Sequence, residues 1–213
     1  MEKLVGRYSL AEEILNASTH GLGILLSIVG LSVLVAFSTL NGSVILIVSC
    51  AIFGASLIFG YTFSTLYHAI TNEKAKQIFR KFDHASIYFL IAGTYTPIAL
   101  VVLKGILGWS IFGVVWAVSI FGIILEFIDS AKFRKLSILL YLLMGWFIVI
   151  ATNQLIHNMA PGGLWLIVIG GLSYSIGVVF YLWKKIPYNH AIWHLFVLGG
   201  SICHYFAVLF FIV

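Results

Sequence analysis

The sequence predicts an all-α integral membrane protein with seven transmembrane helices, its N-terminus inside and its C-terminus outside. Hydrophobic residues fill 62% of the 213 positions and charged residues only 9%, whereas soluble domains carry about 25% charged residues. Seven apolar stretches are long enough to cross a bilayer, and the basic residues fall almost entirely in alternate breaks between them. All the breaks are short, so residues 1–213 are expected to form a single domain.

The seven spans follow from cutting the chain at its charged residues and at glycine, proline and asparagine. A bilayer core of about 30 Å needs about 20 apolar residues at about 1.5 Å each. The predicted spans are 17–39, 43–70, 83–103, 107–127, 136–152, 163–183 and 190–213. The first run is too long for a signal peptide and is followed by no small-residue cleavage site, so it is expected to persist as a helix. Ser9 and Glu12 have capping-box spacing, which predicts a helix start ahead of this run.

The charge distribution orients the molecule and narrows its partners. Lys and Arg together number 12 against 7 acidic residues, a formal net charge of +5, but they form short groups rather than the basic face of a nucleic-acid binder. Assigning alternate breaks to one side leaves only Lys104 on the other. The remaining basic residues are Lys3, Arg7, Lys74, Lys76, Arg80, Lys81, Lys132, Arg134, Lys135, Lys184 and Lys185. Because basic residues favour the inner side, this distribution predicts the orientation, with membrane lipids as partners and no nucleic acid.

Several ionisable side chains lie within or beside the predicted spans, where the hydrocarbon makes them costly and function is the first explanation. With the predicted orientation, all except His204 map to the inner half of the membrane. Those with metal-binding chemistry lie about 3–14 Å beneath the inner charge line, so the helix ends that carry them can converge. The full set is His20, His68, Asp83, His84, Glu126, Asp129, His190, His194 and His204.

Two segments have a spacing with chemical meaning. His190 and His194 are one helical turn apart, so both imidazoles can reach one metal ion. Ser64 and His68 repeat this spacing, which supplies a third nitrogen donor and a nearby hydroxyl. Asp83 opens the next predicted span and is the candidate carboxylate. Three histidines and a water form the open arrangement of catalytic zinc, and an aspartate can hold that water and accept its proton.

The residues of this predicted site also have purely structural explanations. The histidine pair could be two interfacial residues, because it lacks the glutamate of the HExxH metalloproteases. Asp83 could be the N-cap of its helix. Ser64 could bond to the carbonyl four residues earlier. The convergence of three histidines and one aspartate at one depth favours a zinc site over these separate explanations.

The other ionisable residues receive interpretations of their own. His20 could line the same cavity, although no spacing connects it to the three candidate ligands. His84 and Glu126 are interpreted as satisfied interfacial groups, and Asp129 as a surface partner of a nearby lysine. His204, alone in the outer half, is predicted to form a hydrogen bond between helices.

Six short motifs, spread over nearly the whole chain, share the pattern of one known family. They are Glu12-Glu13-Ile14, Thr19-His20-Gly21, Ser64-Thr65-Leu66-Tyr67-His68, Phe79-Arg80-Lys81-Phe82-Asp83-His84, Gly93-Thr94-Tyr95-Thr96-Pro97 and His190-Ala191-Ile192-Trp193-His194. Together they resemble the bacterial hemolysin III proteins, a branch of the progestin and adipoQ receptor family. The resemblance implies a zinc ion near the inner leaflet, held by His68, His190 and His194. It also implies Asp83 on the zinc-bound water and Ser64 behind the ligands.

Three functions are compatible with this site. The first is a zinc-dependent hydrolase of a lipid amide or ester at the inner leaflet, because zinc lowers the pKa of its water from about 16 to about 7. For this reaction the resemblance implies ceramide-like amides. The second is a non-enzymatic membrane-homeostasis or sensor protein with structural zinc, which the resemblance to the bacterial branch implies. The third, a pore-forming cytolysin, is disfavoured because the outer half lacks a continuous polar lining. Hormone reception is not expected, since the long N-terminal region of the eukaryotic receptors is missing.

Overall fold

The computed structural model describes residues 8–40 and 42–213, which fold into a bundle of helices. Its elements are α1 (Leu10–Leu40), α2 (Val44–Ala69), α3 (Glu73–Pro97), a π-helical segment (Ile98–Leu103), α4 (Gly105–Trp146), a 3-10 segment (Phe147–Ala151), α5 (Thr152–Asn158), α6 (Pro161–Leu182) and α7 (Asn189–Phe211). Lys3 and Arg7 of the predicted basic set, and Asn41 of the first predicted break, lie outside the described residues. Within those residues, six helices are long and apolar enough to cross a membrane.

The prediction of seven separate spans is not confirmed. The predicted spans 107–127 and 136–152 both lie in one helical stretch of 54 residues, Gly105–Asn158. A straight helix of that length would measure about 80 Å, more than twice a bilayer core of about 30 Å. The stretch is not regular, because Asp129 has extended backbone angles (φ −158°, ψ 88°) inside α4.

Asp129 marks the start of a new helical segment within α4. Its carboxylate accepts a hydrogen bond from the backbone N–H of Lys132 at 2.9 Å, which is the contact of a helix N-cap. The predicted contact between Asp129 and Lys132 therefore exists, but as a hydrogen bond from the backbone N–H of Lys132. A helix cap at an exposed aspartate is a local feature that hydropathy does not report.

The predicted capping box at the start of α1 is confirmed. The Ser9 N–H donates to the Glu12 carboxylate at 2.8 Å, and the Glu12 N–H donates to Ser9 Oγ at 3.3 Å. These reciprocal bonds satisfy two backbone donors that a helix start otherwise leaves open. Helix α1 consequently begins at Leu10, ahead of the predicted apolar span.

Helix α3 begins earlier than the predicted third span, and this changes the interpretation of Asp83. The Asn72 side chain caps the helix by accepting the Ala75 N–H at 3.1 Å. Asp83 lies well inside the helix with only 4% of its surface exposed, so its interpretation as an N-cap is wrong. The first turns of α3 are charged, and hydropathy therefore placed the start of the span too late.

The helices surround a central cavity. Helices α1, α2, α3 and α4 pack in sequence, α6 packs on α7, and α7 closes the ring against α1. The close approach of α2 and α3 requires Gly93, where an added Cβ would lie 2.2 Å from Ser56 Oγ. The cavity has a volume of about 160 Å³ and is lined by residues of α1, α2, α3, α4, α6 and α7.

The outer surface of the bundle is apolar. Leu25 on α1 and Phe210 on α7 are 64% and 66% exposed, and similar large side chains cover α2, α4 and α6. Apolar faces of this extent suit contact with lipid chains. Helix α3 is the most deeply buried of the long helices and carries Asp83 and His84 into the cavity wall.

Candidate metal centre

Three of the predicted site residues meet at one end of the bundle. His68 comes from α2, and His190 and His194 come from α7; one ligand nitrogen from each lies within 4.8 Å of the others. Nε2 of His68 and Nε2 of His190 are 3.1 Å apart. Two nitrogens bound to one tetrahedral zinc at about 2.0–2.1 Å would be about 3.3 Å apart, so the spacing fits that ion.

An unpartnered ring nitrogen supports the same fit. Nε2 of His194 is buried and has no hydrogen-bond partner among the described residues. Buried polar atoms normally find a partner, so an unpaired nitrogen beside two other imidazoles suits a metal ligand. Three neutral imidazoles without a thiolate are a donor set that suits zinc.

His68 is oriented by a carboxylate from α1. Its Nδ1–H donates to Glu13 Oε2 at 2.6 Å, and the other oxygen of Glu13 pairs with Lys76 Nζ at 2.8 Å. This contact favours the proton on Nδ1 and leaves the Nε2 lone pair facing the cluster. The role of Glu13 was missed in the sequence, because an acidic residue in the first turn of a helix is ordinary.

His194 is oriented by the same helix. Its Nδ1 lies 3.2 Å from the Asn16 carbonyl oxygen and 3.1 Å from Thr19 Oγ1. A donor bond from Nδ1–H to the carbonyl turns Nε2 toward His68 and His190. The sequence offered no signal for Asn16, since a backbone carbonyl has no residue-type signature.

His20 lies beside the cluster. Its ring stacks on that of His194 with centroids 3.5 Å apart and planes 9° from parallel. His20 lines the cavity, which the sequence analysis gave as one possibility. It is not among the three histidines whose nitrogens converge. Both of its ring nitrogens are buried and lack a hydrogen-bond partner within the described part of the chain.

Asp83 and Ser64 line the cavity together with His190. Both are buried, and the Ser64 hydroxyl has no hydrogen-bond partner in the described ranges, so the alternative explanation of a bond to the carbonyl four residues earlier is wrong. Asp83 lies outside the group of atoms close enough to share one ion. The structure thus places this carboxylate in the cavity wall rather than within the nitrogen cluster.

Tyr8, two residues ahead of α1, lies against two of the three histidines. Its ring centroid lies 4.9 Å from that of His190 and 5.7 Å from that of His68. Burial raises the pKa of the Tyr8 phenol above its ordinary range, so the phenol stays neutral beside the imidazoles.

Glu126 differs from its interpretation as a satisfied interfacial group, whereas His84 is half-buried and lies against it. Glu126 is 1% exposed and accepts a hydrogen bond from Ser137 Oγ on Oε1 at 2.5 Å. Its Oε2 lies 3.4 Å from His84 Nδ1 but makes no hydrogen bond within the described residues. His204, in contrast, bonds through Nε2 to the Ile167 carbonyl at 3.1 Å, which confirms the predicted contact between helices.

The fold and the cluster define a class of protein: a multi-pass membrane protein with three buried histidines at one end of a central cavity. Comparison with known proteins identifies the family. The family described as haemolysin-III related matches residues 8–205, and the chain belongs to it. The resemblance predicted from the motifs is thereby confirmed, and the chain is a multi-pass bacterial membrane protein.

Relatives in bacteria and animals align over most of the chain. Hemolysin-3 of Bacillus cereus is 45% identical over 202 residues, which cover 95% of this chain and 92% of that protein. A hemolysin-3 homolog of Bacillus subtilis (strain 168) is 48% identical over 206 residues, covering 97% of each. The human monocyte to macrophage differentiation factor is 30% identical over 211 residues, covering 95% of this chain and 86% of that protein.

Proposed function

We propose that the protein is a zinc-dependent hydrolase that cleaves a lipid amide or ester at the inner leaflet. The observation that carries this proposal is the cluster of three buried, converging histidine nitrogens. The cluster adjoins a largely apolar cavity that also contains Asp83 and Ser64. A hydrolase that acts on lipids needs both features together, a polar reacting centre and an apolar space for the hydrocarbon chain.

In this proposal each residue has a separate role. His68, His190 and His194 hold the ion through neutral imidazoles, two of which are oriented from α1. Zinc, when bound, polarises a carbonyl oxygen and lowers the pKa of water to about 7. Asp83 orients the attacking water and accepts its proton, and Ser64 of the neighbouring helix lies behind the ligands in the same cavity wall.

The proposal includes a topology of seven spans, with the N-terminus inside and the C-terminus outside. The N-cap at Asp129 supports a division of the stretch Gly105–Asn158 into two spans. The charged residues that follow Asp129 would then lie on the inner side, in agreement with the basic residues of the other alternate breaks. This topology places the histidine cluster near the inner leaflet.

Metal analysis tests the site directly. Purified protein is expected to carry about one zinc per chain, and the His190→Ala/His194→Ala protein is expected to lose it. His204→Ala is the matched control, because it removes a half-buried histidine of α7 that bonds to a carbonyl outside the cluster. Wild-type protein without a transition metal, or unchanged zinc in the double variant, would refute the site.

Lipid analysis tests the reaction. Membranes from cells that lack the protein, or that carry His194→Ala, are expected to accumulate an amide- or ester-linked lipid that wild-type cells turn over. Identical lipid profiles in all three strains would contradict hydrolysis.

A structural zinc in a non-enzymatic homeostasis or sensor protein is the alternative. It is favoured by one observation: α1 holds histidines from both α2 and α7, so an ion there would tie three helices together. The two functions differ in whether Asp83 is required once zinc is bound.

A further inference from the structure

Two basic side chains lie beside the gap between α4 and α6, at the end of the bundle that carries the histidine cluster. Arg134 of α4 lines the cavity together with Tyr181 of α6, whose ring centroid is 5.8 Å from that of His190. Lys184 lies two residues beyond the end of α6, and its Nζ is 4.4 Å from the centre of the Tyr181 ring. Helices α4 and α6 make few direct contacts. Cations from both sides of the gap therefore meet around one phenol ring.

Neither cation has a counter-charge among the described residues. No carboxylate there lies within ion-pair distance of Arg134 or Lys184, whereas Lys76 pairs with Glu13. Desolvation, and then the like charge of the Arg134 guanidinium, lower the pKa of Lys184 below its ordinary value. Two neighbouring cations that repel each other mark a place where an anion is stabilising.

The acidic residues of the cavity do not neutralise this pair. Asp83 and Glu126 interact electrostatically with Tyr181, but they are only 4% and 1% exposed, whereas the two cations reach the surface. Arg80 of α3 interacts with the same phenol, and its buried Nε has no hydrogen-bond partner in the described ranges. A third cation thus adds to the positive charge beside the gap.

The outer surface on both sides of the gap is apolar. Leu139 and Leu143 of α4 and Val179 of α6 are 52%, 59% and 56% exposed. They lie about one to three helical turns along the chain from Arg134 or Lys184, so apolar surface adjoins the charged groups. A guanidinium binds phosphate through two parallel hydrogen bonds, and an ammonium binds it as a point charge. A ligand with a phosphate and hydrocarbon chains matches this arrangement.

We infer that Arg134 and Lys184 bind the phosphate of an anionic phospholipid that bridges α4 and α6. Its acyl chains lie on the outside of the bundle, against Leu139, Leu143 and Val179, and not in the cavity. The head group carries a net negative charge, because a zwitterionic one would bring its own ammonium group against the same cations. Basic pockets between transmembrane helices recognise anionic lipids in this way. The inference goes beyond the proposed function and requires neither zinc nor hydrolysis.

Titration of the detergent-solubilised protein with dioleoylphosphatidylglycerol, followed by native mass spectrometry, tests the inference. Dioleoylphosphatidylcholine is the matched ligand, with the same chains and no net charge. Each basic residue near a lipid head group contributes about fivefold in affinity, so the wild type is expected to bind the anionic lipid about 25-fold more tightly. Arg134→Gln/Lys184→Gln is expected to bind both lipids equally and to keep the affinity for phosphatidylcholine, which also shows that it is folded.

Lys135→Gln/Lys185→Gln is the matched control. It removes two positive charges from the chain neighbours of the site, and neither residue lines the cavity or contacts the Tyr181 ring. This variant is expected to bind phosphatidylglycerol like the wild type. The anionic lipid is also expected to raise the unfolding temperature of the wild type and the control but not of Arg134→Gln/Lys184→Gln, because a ligand of the folded state stabilises it.

Three results would overturn the inference. Equal losses in the two double variants would show a diffuse effect of surface charge, and equal wild-type affinity for the two lipids would exclude an anionic site. Displacement of phosphatidylglycerol by inorganic phosphate would assign the cations to a free phosphate. If Arg134→Gln/Lys184→Gln does not fold, Lys184→Gln tests the same contact on an exposed segment, with an expected loss of about fivefold. An unchanged affinity in that variant would also overturn the site.

Discussion

Residues of α1 set the orientation of histidines that belong to other helices. Glu13 bonds to His68 of α2, and Asn16 and Thr19 contact His194 of α7. Metal-binding histidines commonly use their second nitrogen in this way, and the partner fixes the tautomer and the ring plane. The first helix therefore contributes to the proposed zinc site without supplying a ligand.

Replacing Glu13 by glutamine tests this contribution. The change removes the charged acceptor of His68 Nδ1–H while keeping the size of the side chain. We expect zinc affinity to fall about 10–100-fold, as is typical when a partner of a ligand is lost. Competition with a chelating dye measures the change. Glu12→Gln is the control, because Glu12 caps α1 and does not contact a histidine; equal affinities in both variants would contradict the assignment.

Asp83→Asn separates catalysis from metal binding. Three nitrogen donors remain, so the variant is expected to keep most of its zinc. It loses the carboxylate that accepts a proton in the proposed reaction, so lipid turnover is expected to fall about 10–100-fold. Metal content and lipid profiles of a complemented strain measure the two effects. A zinc-loaded variant with full turnover would favour the structural-zinc alternative, and loss of zinc as large as in His68→Ala would make Asp83 a direct ligand.

Helix ends are the features of this fold that hydropathy located least well. Because the start of α3 is charged, hydropathy did not assign the ten helical residues ahead of Asp83 to the span. The N-cap at Asp129 breaks α4 without any glycine or proline beside it. Both cases depend on side-chain caps, Asn72 and Asp129, that satisfy backbone N–H groups and carry no apolar signal.

The junction between the π-helical segment and α4 stores backbone strain at Lys104. This residue has φ 55° and ψ −177°, a region that glycine occupies far more readily than any other residue. Strain of this kind costs about 1–3 kcal/mol, and glycine would relieve it. Glycine also loses more backbone entropy on folding, which offsets about 0.5–1 kcal/mol of that gain. We therefore expect Lys104→Gly to stabilise the protein by about 1 kcal/mol in thermal unfolding. Lys104→Ala keeps the strain, and equal stability of the two variants would contradict this account.

The orientation of the whole bundle in the membrane depends on the number of spans. A reporter active only in the periplasm is expected to be active after Val213 and silent when fused at Asn72, because seven spans put the C-terminus opposite the basic breaks. Six spans would leave both ends of the chain on the same side. If the reporter is silent both after Val213 and at Asn72, both positions lie on the inner side. That result would refute the division of α4 at Asp129.

The membrane class, the family and the candidate ligands could be predicted from the sequence because each depends on residues close together in the chain. The cost of placing a segment in lipid is a sum over its own residues, and the spacing of His190 and His194 is one turn of one helix. Ser64 and His68 carry the same local signal. Even the capping box at Ser9 and Glu12 is a pattern of neighbours.

The remaining features required the tertiary structure, because they are contacts between residues far apart in the chain. Glu13 and His68 are separated by 55 positions, and His68 and His190 by 122. Whether the second carboxylate oxygen of Glu126 has a hydrogen-bond partner depends on how α3 and α4 pack around the cavity. The sequence around a glutamate does not show this. Hydrogen bonds are short-ranged and directional, so whether a buried polar atom has a partner is settled by packing alone.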